Sequence, residues 1–160
     1  LTVMPVPEFI RELRSHVGHA PLWLPGVSVV VLDADGRLLL THRVDTREWA
    51  VPSGILEPGE QPGPAALREL CEEAGIEAEL VRITSVDVTP AIHYPNGDVA
   101  QYLDLCFLAR HVSGEPHVAD DESLEVGWFA PDALPAGMTD SARRKLSWAL
   151  AFDGRTHFER

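Results

Sequence analysis

Residues 54–76 read GILEPGEQPGPAALRELCEEAGI, a stretch in two parts. Its first part, Gly54-Ile55-Leu56-Glu57-Pro58-Gly59-Glu60, is punctuated by glycine and proline, the mark of a loop. Its second part, Ala65 to Ala74, is free of both and rich in helix formers, and Gly75 stands where a helix ends. At about 100° per residue, Glu69, Glu72 and Glu73 share an arc of about 100°. Leu67, Leu70, Cys71 and Ala74 fall on the opposite side. The helix thus has an apolar face for a core and an acidic face directed elsewhere. Arg68 lies one turn before Glu72 and can pair with it.

On an isolated helix such an acidic face is a solvated surface. The loop upstream changes that reading. A glycine-punctuated loop feeding a helix N-terminus offers free N–H groups and close backbone approach, both suited to phosphate. Carboxylates beside a phosphate make sense with a hard divalent cation between them, and Mg²⁺ takes oxygen ligands.

Around this stretch the chain alternates strands and turns. Pro5-Val6-Pro7 opens a short helix, about 7–17, with Phe9, Ile10, Leu13 and Val17 at helical spacing. Pro21 and Pro25 break the chain. Residues 26–32 and 37–43 form a hairpin about the Asp33-Ala34-Asp35-Gly36 turn. Residues 49–52 form a short strand, and 53–64 a loop. Residues 80–89 are a strand, 94–98 a tight turn, and 99–112 a strand that pairs back. An acidic loop, 114–123, precedes a strand at 124–129. Residues 131–134 form one helical turn, and Thr139-Asp140-Ser141 caps a helix at about 140–152. A mixed sheet flanked by helices, an α/β (α+β) arrangement, is the simplest architecture.

The 160 residues suit a single domain, 1–160, with the first helix as an extension. The formal charge of −12 argues against a nucleic acid polymer or an anionic membrane as partner. The cations are twelve Arg and one Lys, so phosphate contacts fall to arginine. Two cysteines make no disulfide framework, no apolar run approaches the ~20 residues of a membrane span, and the first residues show no signal pattern. These features imply a cytoplasmic protein. Cys71 and Cys106 read as core thiols.

Gly54, Glu60, Arg68-Glu69-Leu70, Glu72-Glu73 and Gly75-Ile76 match the Nudix box at every defined position, and the order of elements around it also resembles that family. The resemblance implies an α/β/α sandwich with the box as loop–helix–loop. It implies hydrolysis of the pyrophosphate linkage in a nucleoside diphosphate derivative, with Mg²⁺, or Mn²⁺ as a substitute. By position in the box, Glu69, Glu72, Glu73 and the backbone at Gly54 would be metal ligands. Glu60 would support the metal shell, and Arg68 would orient the glutamates. The general base is Glu69 or an acid outside the box; Glu122 is the first choice there, ahead of Glu125, Asp120 and Asp121. Ser53 departs from the glycine that many members carry before the box glycine, and would be strained if a positive φ were needed.

Outside the box, Arg43 and Arg47 are candidate phosphate contacts, against a surface ion pair with Asp45 or Glu48. Tyr94 and His93 could meet a base or ribose, against simple hairpin packing. Trp49 reads as a core aromatic, and one of Trp128 and Phe129 should face the core. Pro90 lies 14 residues past Ile76 and Tyr94 lies 18 past it; in the family these hints point to ADP-ribose and to dinucleoside polyphosphates respectively, so the substrate stays open. A catalytically silent nucleotide sensor is the alternative, though its usual mark, loss of a box carboxylate, is missing. Isoprenoid diphosphate isomerisation would need an acid and a nucleophile that the two cysteines do not supply. The first helix and strand 99–112 are the surfaces on which a homodimer would form.

Overall fold

The computed structural model describes residues 6–151 and 153–160, so Pro5 of the expected helix opening lies outside the described residues. A first helix, α1 (Glu8–Val17), leads into β1 (Leu22–Leu32), β2 (Leu38–Arg43), β3 (Trp49–Ala50) and β4 (Ser53–Ile55). Then come α2 (Pro62–Ala74), β5 (Glu77–Val88), β6 (Ile92–His93), β7 (Val99–Ser113), β8 (Ser123–Phe129) and α3 (Asp140–Ala149). The sheet runs β3-β2-β1-β7-β5, with β4 beside β1, β6 beside β7 and β8 beside β2. β1 and β7 are parallel from Leu22↔Ala100 to Leu32↔Arg110, while the other strand pairs are antiparallel, so the sheet is mixed.

The alternation of β1 sends its side chains to two cores. Val27, Val29 and Val31 pack with Ala66, Leu70 and Ala74 of α2. Val30 joins Ala142, Leu146 and Ala149 of α3 on the other face. The sheet therefore lies between α2 and α3, the expected sandwich. α1 covers one end of the sheet, where Ile10 meets Leu24 and Ala100. Thr139 caps α3 by accepting from the Ala142 N–H at 3.0 Å. The one lysine docks the same helix: Lys145 Nζ lies 3.1 Å from Asp104, which also accepts from the Ser28 hydroxyl at 2.5 Å, all three side chains being buried.

Several boundaries differ from the sequence expectation. β1 runs through Pro25, which was expected to break the chain. The N–H and C=O of an extended residue share one side, and the Pro25 carbonyl accepts from the Leu56 N–H on the β4 side. The missing donor thus falls where β4 ends and leaves the pairing with β7 intact. Residues 53–55, expected in a loop, form β4. α2 begins at Pro62 rather than Ala65, because proline at the first turn forfeits no helical hydrogen bond. Residues 131–134 form a turn rather than a helical one, closed by the Ala133 N–H on the Ala130 carbonyl. The open edge at β5 is partly covered by the C-terminal tail: the Val86 N–H donates to His157 O, and the His157 N–H to Thr84 O. Among the described residues no helix is long and apolar enough to cross a membrane.

Candidate active site

β4 is short and gains its place from β1, with Val27↔Gly54 and Ser28↔Ser53 in register. Neither Ser53 nor Gly54 adopts a positive φ, so the serine is accommodated without strain. The glycine matters for space instead: a Cβ at position 54 would fall 2.0 Å from the carboxyl carbon of Glu69. Glu69 therefore lies directly on the backbone of β4. At the far end of α2, Gly75 takes the left-handed conformation (φ 66°), which favours glycine, and its N–H donates to Cys71 O.

Arg68 is the hub of the box. Its Nε and Nη2 donate to the two oxygens of Glu60 at 2.7 and 3.0 Å. Its Nη1 donates to Glu69 Oε1 at 2.9 Å and to Glu72 Oε2 at 3.0 Å, and Nη2 also reaches the Ile55 carbonyl at 3.3 Å. The Arg68 hydrogen bonds hold the Glu60 carboxyl below the usual carboxylate range. Those to Glu60 in turn keep Arg68 firmly protonated.

Glu73 stands apart from this hub. It is 2% exposed, and its Oε1 is buried with no hydrogen-bond partner among the described residues. The angular count places it at the edge of the buried arc, beside Ala66 and Leu70, although it is a carboxylic acid. Burial, with Glu122 nearby, pushes its carboxyl well above the usual range. Burial also pushes Glu69 up to about 7, against the opposing charge of Arg68. Cys71 corrects the sequence reading: it is exposed, because the buried arc runs through Glu73, Leu70 and Ala74 rather than toward Cys71. Cys106 is buried as expected.

The acidic loop is fastened at both ends. The His117 and Ala119 N–H groups donate to Ala74 O and Glu73 O, taking up carbonyls left free at the end of α2. The Val44 N–H, just past β2, donates to Glu122 O at 2.9 Å. Glu122 is thereby held between α2 and β2, and burial, then the charge of Asp120, raises its carboxyl. Glu125 is not brought into this group; it is exposed and faces His42 across the sheet at 3.4 Å. Asp121 is also exposed.

Arg43 lies within electrostatic reach of Glu73 and Glu122, but it forms two parallel bonds with Asp45, at 2.9 and 2.8 Å. The Asp45 ion pair weighed from the sequence is thus the arrangement found. Arg47 is exposed, with φ 60° and its carbonyl accepting from His42 Nε2 at 3.0 Å. Trp49 is half-buried, stacked on His42 and edge-on to Phe129. The Tyr94 hydroxyl pairs with that of Tyr102 at 2.7 Å. The sequence reading missed Tyr102, which sits in register with Leu24 on β1; its only signal was being the chain's second tyrosine.

Among the described residues no three His, Cys, Asp or Glu side chains are already gathered around a common point. The donor set nevertheless suits a hard cation. It is all oxygen, Glu73 presents a buried oxygen with no partner, and Arg68 engages one oxygen each of Glu69 and Glu72 while leaving the other.

A loop–helix–loop bearing these carboxylates, set on a mixed sheet between helices, defines a Nudix domain, and the NUDIX domain model matches residues 22–149. The chain belongs to the Nudix family and is an enzyme of its pyrophosphohydrolase class. It is 36% identical over 133 residues to a MutT-like protein of Streptomyces ambofaciens, spanning 81% of this chain and 79% of that one. It is 43% identical over 124 residues to an RNA pyrophosphohydrolase of Rickettsia prowazekii, spanning 69% of this chain and 76% of that one. The crystal structure of a MutT NUDIX hydrolase from Burkholderia pseudomallei matches with a TM-score of 0.64 at 33% identity, over 79% of this chain and 98% of that one. Nudix hydrolases generally use divalent metal ions.

Proposed function

We propose that this chain hydrolyses the pyrophosphate linkage of a nucleoside diphosphate derivative, using Mg²⁺ or, in its place, Mn²⁺. The observation that carries this reading is the buried, unpartnered Oε1 of Glu73 beside Glu69 on the backbone of Gly54. Glu69, Glu72, Glu73 and the backbone at Gly54 would hold the cation, with Glu60 behind them. When bound, the cation neutralises charge at the phosphate and acidifies a water. Arg68 keeps Glu60, Glu69 and Glu72 aligned. Glu122, or Glu69, takes the proton of the attacking water; burial raises both carboxyls, which suits them to accepting one.

Arg43, Arg47 and Tyr94 bind the rest of the substrate. Arg43 acts as a fixed positive charge braced by Asp45, while the guanidinium of Arg47 is exposed and can follow a phosphate. The charge of −12 favours a small substrate over a polymer, and the two free cysteines suit the cytoplasm. Residues 1–160 act as one domain, and the exposed Leu13 and Val17 of α1 offer a face for a second copy, to be read by light scattering.

The test is a panel with Mg²⁺, with Mn²⁺ and with EDTA: ADP-ribose, nucleotide sugars, diadenosine polyphosphates, normal and oxidised nucleoside triphosphates, and a 5′-triphosphate RNA. At least one small nucleotide should be cleaved in a metal-dependent way, and Glu73→Gln should lose ~10²-fold or more. Binding without cleavage across the panel would establish the silent-sensor reading instead. Preference for the RNA would overturn the small-molecule assignment.

A further inference from the structure

A cavity of about 350 Å³ opens at the start of β1 and β7, away from the carboxylates. Pro21, Trp23, Ala91, His93, Val99 and Gln101 line it, and among the described residues no Asp, Glu, Lys or Arg does. In a chain of charge −12 this is an uncharged recess. Its aromatic wall is exposed at a cost: Trp23 is 58% accessible, the most exposed of the large aromatic side chains on the sheet. The volume lies within the range of small-molecule sites, which combine apolar walls with a few polar groups. Here the polar groups are the His93 imidazole and the Gln101 amide. Gln101 lies opposite Trp23 in the parallel register, and one of its N–H groups is held by the Thr89 carbonyl at 3.0 Å. The amide is thereby oriented, with its carbonyl oxygen left for a ligand.

The position relates this recess to the reaction centre. Val27 lies opposite Gly54, and Trp23 is four residues back along the same strand. At ~3.3 Å per residue the separation is about 13 Å. That is comparable to the reach from the outer phosphate of a diphosphate through a ribose to the far edge of a base. His93 brings β6 to the wall of the cavity, in register with Val99 of β7.

Resting on the hydrolase reading above, we infer that this recess is the subsite for the nucleobase of the substrate, with the base stacked on Trp23 and its edge met by Gln101 and His93. A base is flat, uncharged and edged with donors and acceptors, which matches the lining. A stacking aromatic gains from every base, so Trp23 sets affinity and Gln101 with His93 sets choice. A second copy of the chain is a poorer occupant, because a concave recess is not self-complementary.

The experiment titrates AMP and GMP into the protein in EDTA, following tryptophan fluorescence, with affinity measured by calorimetry. Saturable quenching is expected in the wild type and no quenching in Trp23→Phe, which keeps its affinity. Trp23→Ala should bind about tenfold or more weakly, and ribose 5-phosphate should neither quench nor discriminate between the proteins. In turnover, Trp23→Ala should raise KM by a similar factor and leave kcat within about threefold. Gln101→Leu should change the ratio of AMP to GMP affinity. Trp23 is exposed, so these variants should fold, which circular dichroism checks. Unchanged AMP affinity in Trp23→Ala would overturn the inference, as would a dimer in sedimentation that Trp23→Ala dissociates. Quenching without turnover of any substrate would refute the hydrolase reading and leave the base subsite standing.

Discussion

Arg68→Ala removes a side chain that makes hydrogen bonds to three carboxylates and one carbonyl. Glu60 loses both of its partners on that guanidinium, and Glu69 is left half-desolvated without a countercharge. Charge-assisted hydrogen bonds contribute roughly 1.5–3 kcal/mol each in favourable settings, but Arg68 is about a quarter exposed and its bonds share one group. A net loss of about 2–3 kcal/mol is therefore expected. For a chain of this length that corresponds to a fall in Tm of roughly 4–12 °C. Arg68→Lys keeps the charge but not the fork, and should lose about half as much. The assay is thermal unfolding in EDTA, with Arg110→Ala as the control at an exposed arginine on β7. A double-mutant cycle with Glu60→Gln should show a coupling of about 1–2 kcal/mol. The pH dependence gives a second check. Glu60 is held below its ordinary 4.5 in the folded state, so its contribution is present above that pH and disappears as the pH falls below it. Wild type and Arg68→Ala should therefore converge in acid. If Arg68→Ala melts with Arg110→Ala, and the coupling is below about 0.5 kcal/mol, the hub has no energetic meaning and the reasoning fails.

Glu69 gives the opposite sign. Its folded carboxyl is raised from 4.5 to about 7, so the metal-free protein loses stability as pH rises through that window, by about 3 kcal/mol; Glu69→Gln should flatten the slope of melts taken in EDTA, and equal slopes would refute the shift. Gly54→Ala should keep the fold, since the clash is with a side-chain end, while displacing Glu69 and lowering kcat by ~10² or more. Glu122→Gln should reduce kcat by a comparable factor and Glu125→Gln should stay near wild type, the discriminating measurement being turnover under saturating Mg²⁺. Lys145→Met strands the buried Asp104 and should destabilise by about 3 kcal/mol in denaturant melts, with Asp104→Asn in the same chain restoring part of the loss.

The box was legible because helix geometry is local. Residues three and four apart share a face whatever the rest of the chain does, so the acid arc, the Arg68 pairing and the stop at Gly75 followed from spacing. An angle cannot say how wide the buried face is; packing against Val27, Leu39 and Phe107 set that, and it took in Glu73 and left Cys71 outside. β4 was hidden for a different reason. Three residues carry no period of their own, and their strand exists only because β1 lies alongside. Pro25 misled because its cost depends on which neighbour needs its N–H, a question of pairing rather than of composition.

The acid arc and the arginine among the carboxylates are properties of the sequence, since all lie on one helix turning at a known rate, whereas the glycine beneath them is placed by the pairing of β4 with β1. The partners from elsewhere are not properties of the sequence. Glu122 is 49 residues from Glu73 and joins it because the Val44 N–H and the free carbonyls of α2 fasten the acidic loop, while Glu125, three residues on, is turned toward His42. Tyr102 meets Tyr94, and Asp45 claims Arg43, through strand register and a turn. Spacing decides what one helix presents; only the closing of the chain, which buries some charges and pairs others, decides which of the remaining acids and arginines share the site.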